Sequence, residues 1–286
     1  MRDEIRYDLM QIPNEKILRE RLKKIKHFAL DMDGTIYIDL HIFDWTIPFL
    51  SFLKSSKIGY TFLTNNPTKS LADYLKHLRQ MGIFATKDEL STSVGATINY
   101  LRFNHPNVKK LFLLATESMI SEFEQEGFIS TSNSVEDKPD ALIVSFDSSL
   151  KYDRLCRAAW WAKQGIFYIA TNPDRVCPTN LPTVLVDCGS ICASIEYATN
   201  KKPDFVVGKP NPQMIEALIQ KHNLKRDEIA MVGDRIYTDI QMAKNANVLS
   251  ILVLSGEACP EDVMKAPFKP DIVVKNLFSL VELIKN

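Results

Sequence analysis

Short apolar runs alternate along the chain with longer segments in which apolar residues recur every three or four positions. The short runs predict buried strands, and the periodic segments predict amphipathic helices. Clear examples are the run at 58–63 (IGYTFL) and the helical pattern at 70–82 (SLADYLKHLRQMG). Because strand and helix patterns alternate, the chain is predicted to have an α/β fold built on a Rossmann-like parallel sheet.

The alternation restarts near His105, between two stretches rich in loop-forming residues, FNHPN and NKKPD. We interpret residues 104–202 as a second α/β domain that is inserted into a core made of residues 1–103 and 203–286. The segment DFVVGKPNP is then expected to supply a strand and a turn of the resumed core.

Composition narrows the classes of function. Thirty-five basic and 35 acidic residues give a net charge of zero, which offers no electrostatic case for binding nucleic acid or a membrane surface. The five cysteines form no C-x-x-C pair and the five histidines are scattered, so oxygen ligands would have to hold any metal, which favours magnesium over zinc. The charged start and the lack of a long apolar run predict a cytoplasmic protein.

Two carboxylates follow the first buried strand, in the sequence DMDGT. Asp31 and Asp33 are two residues apart, so in an extended strand they project to the same side with Cα atoms roughly 6–7 Å apart. Carboxylates that close repel each other unless one is protonated or a cation lies between them. Gly34 permits a sharp turn and Thr35 can hydrogen-bond within it. An ordinary Asp–Gly turn explains these letters about equally well.

Other predicted strand ends carry groups suited to holding a phosphoryl group. The run at 58–63 is followed by Thr64, Asn65 and Asn66, which offer a hydroxyl and two amides, and VVGKPNP contributes the positive charge of Lys209. A lysine in isolation is more often a solvated surface residue. Because the carboxyl ends of parallel strands share one edge of a sheet, these groups are expected near Asp31.

The segment MVGDRIYTDI adds two more acids. Asp234 ends an apolar strand, and Asp239 lies at the start of the following helix. A lone acid at such a place is more often there because it favours the helix dipole. Together with the earlier groups, however, these residues supply a nucleophile, an acid/base, a hydroxyl, a cation and an acidic pair that could hold a metal.

The order DMDGT, TNN, GKP and GDRIYTDI resembles the four motifs of the haloacid dehalogenase-like (HAD) hydrolases. The spacing of 145 positions between Thr64 and Lys209 (209 − 64) resembles the NagD and p-nitrophenyl phosphatase-like subgroup, whose type C2 cap is inserted after the third core strand. The resemblance runs from Phe28 through nearly all of the remaining chain. It implies the HAD fold with an α/β cap domain.

The resemblance implies a magnesium-dependent phosphatase that hydrolyses small phosphate monoesters, such as a sugar phosphate or a nucleotide, through an aspartyl phosphate. Carried over by position, Asp31 attacks phosphorus, and Asp33 protonates the leaving oxygen and later activates water. Thr64 and Asn65, with Asn66 beside them, hold the phosphoryl group. Lys209 neutralises charge on the nucleophile and on the phosphoryl oxygens.

The implied Mg²⁺ ligands are the Asp31 carboxylate, the Asp33 main-chain carbonyl and Asp234, while Asp239 orients a metal-bound water as a second-layer residue. Two places depart from the family pattern. Residues 36–45 replace a short proline–glycine loop, and Tyr237 stands where many relatives carry an acid.

The resemblance also implies that the cap shields the site and selects the substrate, with a loop around Cys188, Gly189 and Ser190 facing the leaving group. The alternative for the thiols is that Cys188 and Cys192 pack at i and i+4 at the start of a helix. The tandem Trp160–Trp161 is expected in the cap core or at a surface that pairs two copies of the chain rather than as a stacking platform.

Three other functions remain open from the residues. A receiver-like regulatory protein that only accepts a phosphoryl group also gathers acids, a threonine and a lysine, but it has no reason to carry an insertion of about 100 residues. A dehalogenase is disfavoured because Asp33 supplies the acid/base that phosphoester chemistry needs. A phosphomutase shares the aspartyl-phosphate step and differs in its product.

Overall fold

The computed structural model describes residues 15–38, 40–66, 70–177 and 182–285. Pro67, which the sequence suggests as a helix-start signal, and the first 14 residues lie outside this described part. The helices are α1 (Glu15–Lys23), α2 (Thr46–Ser55), α3 (Leu71–Gln80), α4 (Ser93–Asn104), α5 (Glu117–Gln125), α6 (Tyr152–Lys163), α7 (Cys188–Thr199), α8 (Gln213–His222), α9 (Gln241–Asn245), α10 (Pro260–Lys265) and α11 (Leu277–Lys285).

The strands are β1 (His27–Asp31), β2 (Tyr37–Ile38), β3 (His41–Ile42), β4 (Gly59–Thr64), β5 (Leu90–Thr92), β6 (Lys110–Leu114), β7 (Ile129–Ser130), β8 (Ala141–Val144), β9 (Phe167–Ala170), β10 (Val176–Cys177), β11 (Leu185–Val186), β12 (Phe205–Val206), β13 (Ile229–Gly233), β14 (Leu249–Val253) and β15 (Ile272–Val274). None of the described helices combines the length and the apolarity that crossing a bilayer requires.

A six-stranded sheet in the order β15-β14-β13-β1-β4-β5 forms the larger layer. β1 lies between β13 and β4 and runs parallel to both, with Leu30 opposite Val232 and Asp31 opposite Leu63. β1, β13 and β14 are buried along their whole length, as expected for parallel strands that helices cover on both faces. The register brings the carboxyl ends of β1, β4 and β13 level with one another, and the predicted α/β class is confirmed.

A second sheet has the order β12-β9-β8-β6-β7, and every pair in it is parallel. The apolar face of β6, β8 and β9 packs on α6 and α7, with Trp161 and Ile191 in the buried cluster. β12 was expected to belong to the resumed core. The structure instead pairs Phe205 with Ile169 of β9, because this two-residue strand follows the loop that returns along the edge of the second sheet.

The chain divides into two compact units. The first unit holds the described residues of Met1–Leu63, Leu78–Leu90 and Ile215–Asn286, and the second holds those of Thr64–His77 and Ser91–Met214. The five-stranded sheet lies wholly within the second unit. The predicted limits of the inserted domain, residues 104 and 202, stay a prediction.

Candidate active site

β1 delivers Asp31, which is buried, to the start of a tight turn. The Gly34 N–H donates to Tyr37 O at 2.7 Å, and Thr35 Oγ1 donates to Asp31 Oδ2 at 3.5 Å. Gly34 has a φ of +81°, and a Cβ at this position would collide with the carboxylate of Asp234. Both the backbone conformation and the lack of space therefore require glycine here.

Asp33 lies within this turn and forms an isolated bridge with Tyr37. It is partly exposed, whereas Asp31 is buried. The bridge fixes the backbone of Asp33. The two acids of DMDGT thus occupy different environments, which suits two different chemical roles.

Three acids of the first unit come together beside this turn. Asp31, Asp234 and Asp239 each offer a carboxylate oxygen, and these oxygens lie within 4.8 Å of one another. All three residues are buried. Burial, followed by the charges of Asp31 and Asp239, raises the pKa of Asp234 to about 8. The cluster therefore cannot carry three negative charges at neutral pH without a cation.

The oxygen atoms of Asp234 show why a metal ion fits this cluster. Asp234 Oδ2 accepts a 2.6 Å hydrogen bond from the Glu257 N–H. Oδ1 is buried and has no hydrogen-bond partner among the described residues. An unpartnered oxygen in a group of carboxylates matches the all-oxygen ligand set that Mg²⁺ prefers.

Asp239 is held by a single wide π-helical turn, Ile236–Ile240, that leads into α9. Its N–H donates to Arg235 O at 3.0 Å, and its Oδ2 accepts from the Arg235 N–H at 3.1 Å. A Cβ at Gly233 would collide with the Asp239 side chain. The turn thus directs Asp239 back toward the end of β13, within the acidic cluster.

In the second unit, Asn65 holds the main chain of Lys209 from both sides. Asn65 Oδ1 accepts from the Lys209 N–H at 2.7 Å, and Nδ2 donates to Lys209 O at 2.9 Å and to Asp174 Oδ2 at 3.0 Å. Lys209 is buried, which excludes the solvated-lysine interpretation. Because the Asn65 amide is already engaged, any contact of Asn65 with a phosphoryl group falls to its main chain.

Thr64 ends β4 and is buried. Its Oγ1 accepts a 3.0 Å hydrogen bond from the N–H of Asn66, which is partly exposed. Within the first unit, Leu63 pairs with Asp31, and β4 ends one residue later, at Thr64.

A buried polar network of the second unit was missed by the sequence interpretation. Asn172 Nδ2 donates to Asp174 Oδ2 at 3.1 Å and to Asp187 Oδ2 at 3.4 Å, and Cys177 Sγ donates to Asp187 Oδ2 at 2.8 Å. Burial raises the pKa of Asp187. The signal was present in TNPD, polar residues that directly follow the apolar run IFYIA.

The residues Cys188, Gly189 and Ser190 form the first turn of α7, so the expectation of a loop here is wrong. The helix starts at this point because Asp187 Oδ1 accepts from the Cys188 N–H at 2.6 Å. The Cys188 thiol is buried, donates to Val144 O at 3.2 Å and lies 4.0 Å from Cys192 Sγ. Burial raises its pKa far above that of a free thiol.

Ser190 is partly exposed and donates through Oγ to Arg175 O at 2.8 Å. Of the tandem tryptophans, Trp161 is buried in the cluster under α6 and Trp160 is half exposed. The described aromatic contacts do not stack a ring on either tryptophan.

Two family models match the chain. The model described as haloacid dehalogenase-like hydrolase matches residues 28–129, and the one described as HAD-hydrolase-like matches residues 206–280. The first range contains Asp31, Asp33 and Thr64, and the second contains Lys209, Asp234 and Asp239.

Relatives match over nearly the whole chain. The ribonucleotide monophosphatase NagD of Escherichia coli K12 is 32% identical over 246 residues, which cover 86% of this chain and 94% of the relative. The crystal structure of 4-nitrophenylphosphatase from Thermotoga maritima is 40% identical and covers 92% of this chain and 99% of that one, with a TM-score of 0.86.

A third relative was solved with metal ions. Glycerol phosphate phosphatase from Mycobacterium tuberculosis, in structures described as complexes with magnesium and with calcium, is 26% identical and covers 91% of this chain, with a TM-score of 0.82. The match covers 78% of the chain in the magnesium complex and 76% of the chain in the calcium complex. The identity, coverage and motifs agree. The chain belongs to the haloacid dehalogenase-like hydrolases, in the NagD-like subgroup, and is a hydrolase that acts on phosphate monoesters.

Proposed function

We propose that this protein is a magnesium-dependent phosphatase that hydrolyses small phosphate monoesters through an aspartyl phosphate on Asp31. The observation that supports this most directly is the buried cluster of Asp31, Asp234 and Asp239, in which one oxygen of Asp234 has no hydrogen-bond partner among the described residues. A buried acidic cluster of this kind needs a cation to be stable in its charged form.

The proposed Mg²⁺ ligands are the carboxylates of Asp31 and Asp234 and the main-chain carbonyl of Asp33, with Asp239 orienting a water ligand. Bound there, Mg²⁺ would offset the repulsion between a carboxylate and a phosphate dianion. This proposed ligand set consists of oxygen atoms only, which agrees with the preference of Mg²⁺ for oxygen ligands.

In the proposed reaction, a carboxylate oxygen of Asp31 forms a bond to phosphorus as the bond to the leaving oxygen breaks. Asp33 gives its proton to that leaving oxygen. Asp33 then takes a proton from water as the water oxygen bonds to phosphorus, which releases phosphate and restores Asp31. The partial exposure of Asp33 supports this role, because a group that exchanges protons needs access to solvent.

Thr64, Asn65 and Lys209 complete the proposed catalytic set, on the strength of their places in the family motifs. The backbone clamp of Asn65 on Lys209 supports a positioning role for the amide. We place Asn66 with them as a substrate contact. Lys209 would neutralise charge on the nucleophile and on the phosphoryl oxygens.

The substrate is proposed to be a small phosphorylated metabolite, either a sugar phosphate or a nucleotide. The relatives' names refer to a ribonucleotide monophosphate, 4-nitrophenyl phosphate and glycerol phosphate, which share only the phosphate monoester. Gly189 and Ser190, at the start of α7, stay the predicted contacts to the leaving group. The Cys188 side chain is less suited because it is buried. A homo-oligomer formed through the cap and a cytoplasmic location also stay predictions.

The decisive experiment compares Asp31→Asn with the wild type in an assay for free phosphate, using sugar phosphates and nucleotides. The variant is expected to lose at least about a thousandfold in turnover, because the amide is a poor nucleophile. Asp227→Asn, which removes an exposed acid that pairs with Lys24, is the matched control and should keep full activity. Appreciable turnover by Asp31→Asn would exclude Asp31 as the nucleophile.

The same assay separates the alternatives. A phosphomutase would yield a rearranged phosphate ester instead of free phosphate, and a regulatory phospho-acceptor would stop after one phosphoryl group per chain. Replacing Mg²⁺ with Ca²⁺ is expected to inhibit turnover, because the larger ion accepts a looser geometry. Equal rates with both ions would contradict the proposed metal geometry.

A further inference from the structure

Arg235 and Glu257 are not among the acids of the family motifs. Each of them nevertheless donates a main-chain hydrogen bond to one of those acids. The Arg235 N–H donates to Asp239 Oδ2 at 3.1 Å, and the Glu257 N–H donates to Asp234 Oδ2 at 2.6 Å. The side chains of the two residues then bind each other, with Arg235 Nε 2.9 Å from Glu257 Oε2.

The segment that carries Glu257 wraps closely around Asp234. The Ala258 N–H donates to Asp234 O at 3.2 Å, and Ser255 Oγ donates to Gly34 O at 2.7 Å. A Cβ at Gly256 would collide with the Asp234 carboxylate. The segment therefore determines which oxygen of Asp234 is hydrogen-bonded and which one stays unpartnered.

We propose that the Arg235–Glu257 ion pair is a positioning device that sets the spacing of Asp234 and Asp239 and thereby tunes the affinity for the divalent cation. The pair joins the loop after β13 to the loop after β14, and its two residues are 22 positions apart in the sequence (257 − 235). The inference rests on the proposed magnesium site. It deepens that proposal by naming the residues that fix the geometry of the ligands.

The expected effect is moderate. The side chains of Arg235 and Glu257 keep 32% and 66% of their surface exposed, and ion pairs that solvent can reach contribute little. Loss of the pair would let the Glu257 segment shift, so that the Asp234 oxygens are held less firmly. We expect the dissociation constant for Mg²⁺ to rise about threefold to fivefold.

Charge alone makes a different prediction, which allows a clean test. The Arg235 guanidinium lies in the field of the three acids, so its removal by itself should strengthen cation binding. Removal of the Glu257 charge by itself should weaken binding. Removal of both leaves the net charge unchanged and, on charge alone, should restore the wild-type affinity.

The experiment measures the Mg²⁺ dissociation constant without substrate, from the rise of Tm with Mg²⁺ concentration. The variants are Arg235→Gln, Glu257→Gln and the double variant. Glu216→Gln, which removes the exposed ion pair with Arg226 in the same unit, is the matched control. The proposal predicts that all three variants bind Mg²⁺ about threefold to fivefold more weakly. The Mg²⁺ affinity of the control variant should equal that of the wild type. The KM of the three variants for substrate, measured at saturating Mg²⁺, should also stay unchanged.

Tighter binding by Arg235→Gln, or wild-type affinity in the double variant, would overturn the positioning role. The two proposals fail in different ways. If Mg²⁺ did not raise the Tm of the wild type, the magnesium site itself would be refuted, and the positioning role with it. If the wild type responded and the variants matched it, only the role of the ion pair would be lost.

Discussion

β1 has a buried ionisable residue at each end, His27 and Asp31. The free-energy cost of burying an ionisable group is met in opposite ways at the two ends. At the amino end, His27 Nε2 lies 3.0 Å from Thr61 Oγ1 and its ring stacks on His222 at 4.4 Å. Burial, and then the charges of His222 and Lys221, lowers the pKa of His27 to about 4, so the ring is neutral at pH 7. A neutral ring with a hydroxyl partner needs no counterion.

At the carboxyl end, Asp31 lies with Asp234 and Asp239 in one buried cluster of carboxylates. The nearby Arg235 and the N–H of Glu257 lower the pKa of Asp234, but burial and the other two acids outweigh them. The two ends therefore differ in how their buried groups are satisfied: His27 has a hydroxyl partner within the protein, whereas Asp234 Oδ1, in the proposed metal site, has no hydrogen-bond partner among the described residues. The predictions below test this difference between the two ends.

The largest effect is expected from Asp234→Asn. The variant should bind Mg²⁺ about a hundredfold more weakly or worse, because a neutral amide replaces a charged ligand beside Asp31. Metal-free protein should at the same time become more stable at pH 8, since one buried like charge is gone. Calorimetric titration with Mg²⁺ and thermal unfolding check the two parts. Unchanged metal binding would contradict the assignment of the cluster.

The amino end should lose stability in acid. The pKa of His27 falls from about 6.5 in the unfolded chain to about 4 in the fold, so the unfolded chain binds more protons between these values. The contribution of neutral His27 to the free energy of unfolding is therefore complete above pH 6.5. As the pH falls toward 4, about 2–3 kcal/mol of this contribution is lost. Urea unfolding at pH 7 and pH 4.5 measures it. His27→Gln should remove most of this dependence, and an equal slope in that variant would contradict the assignment.

The carboxyl end should show the opposite slope when no metal is bound. The pKa of Asp234 is raised from 3.8 to about 8, so the folded chain binds more protons between these values. The contribution of protonated Asp234 to the free energy of unfolding is complete below pH 3.8 and is lost as the pH rises through 8. Saturating Mg²⁺ should remove the loss because it replaces the proton. Unfolding curves with EDTA and with Mg²⁺ at pH 6 and pH 8.5 test this, and identical pH slopes would refute it.

Two glycine-to-alanine variants are expected to have smaller effects on stability. They separate the cost of backbone strain from the cost of a steric clash with Asp234 at the carboxyl end of β1. Gly34 and Gly82 have nearly the same φ, +81° and +82°, but a Cβ meets the Asp234 carboxylate only at Gly34 and open space at Gly82. Gly82→Ala should cost about 1 kcal/mol from the backbone alone. Gly34→Ala should cost about 2 kcal/mol more in unfolding experiments and should also weaken Mg²⁺ binding. Equal costs would show that the crowding is relieved.

The sequence predicted the fold, and the acids that it proposed for the site were identified from the same local patterns. An apolar run that ends in polar residues marks a strand end, and parallel strands bring such ends together, so Asp31 and Asp234 could be identified from their neighbours in the chain. The family motifs extended this to Asp239, which alone resembles an ordinary helix start.

Features that short sequence patterns leave open could not be predicted. The two residues of β12 carry too little pattern to choose between sheets. The start of α7 depends on whether the Asp187 side chain accepts from the adjacent Cys188 N–H, which the residue types alone do not decide. The engagement of Asn65 with Lys209 joins residues 144 positions apart. The Arg235–Glu257 ion pair joins charges that, in the sequence, look like ordinary solvated residues.

Glycines 34, 233 and 256 surround the acids so closely that an added methyl group would strike the carboxylate of Asp234 or the side chain of Asp239. Protein engineers who seek a different metal preference therefore have few positions to vary. A side chain that could act as a new metal ligand would not fit at any of these three glycines. A change of metal preference would therefore have to come from replacing the acids themselves.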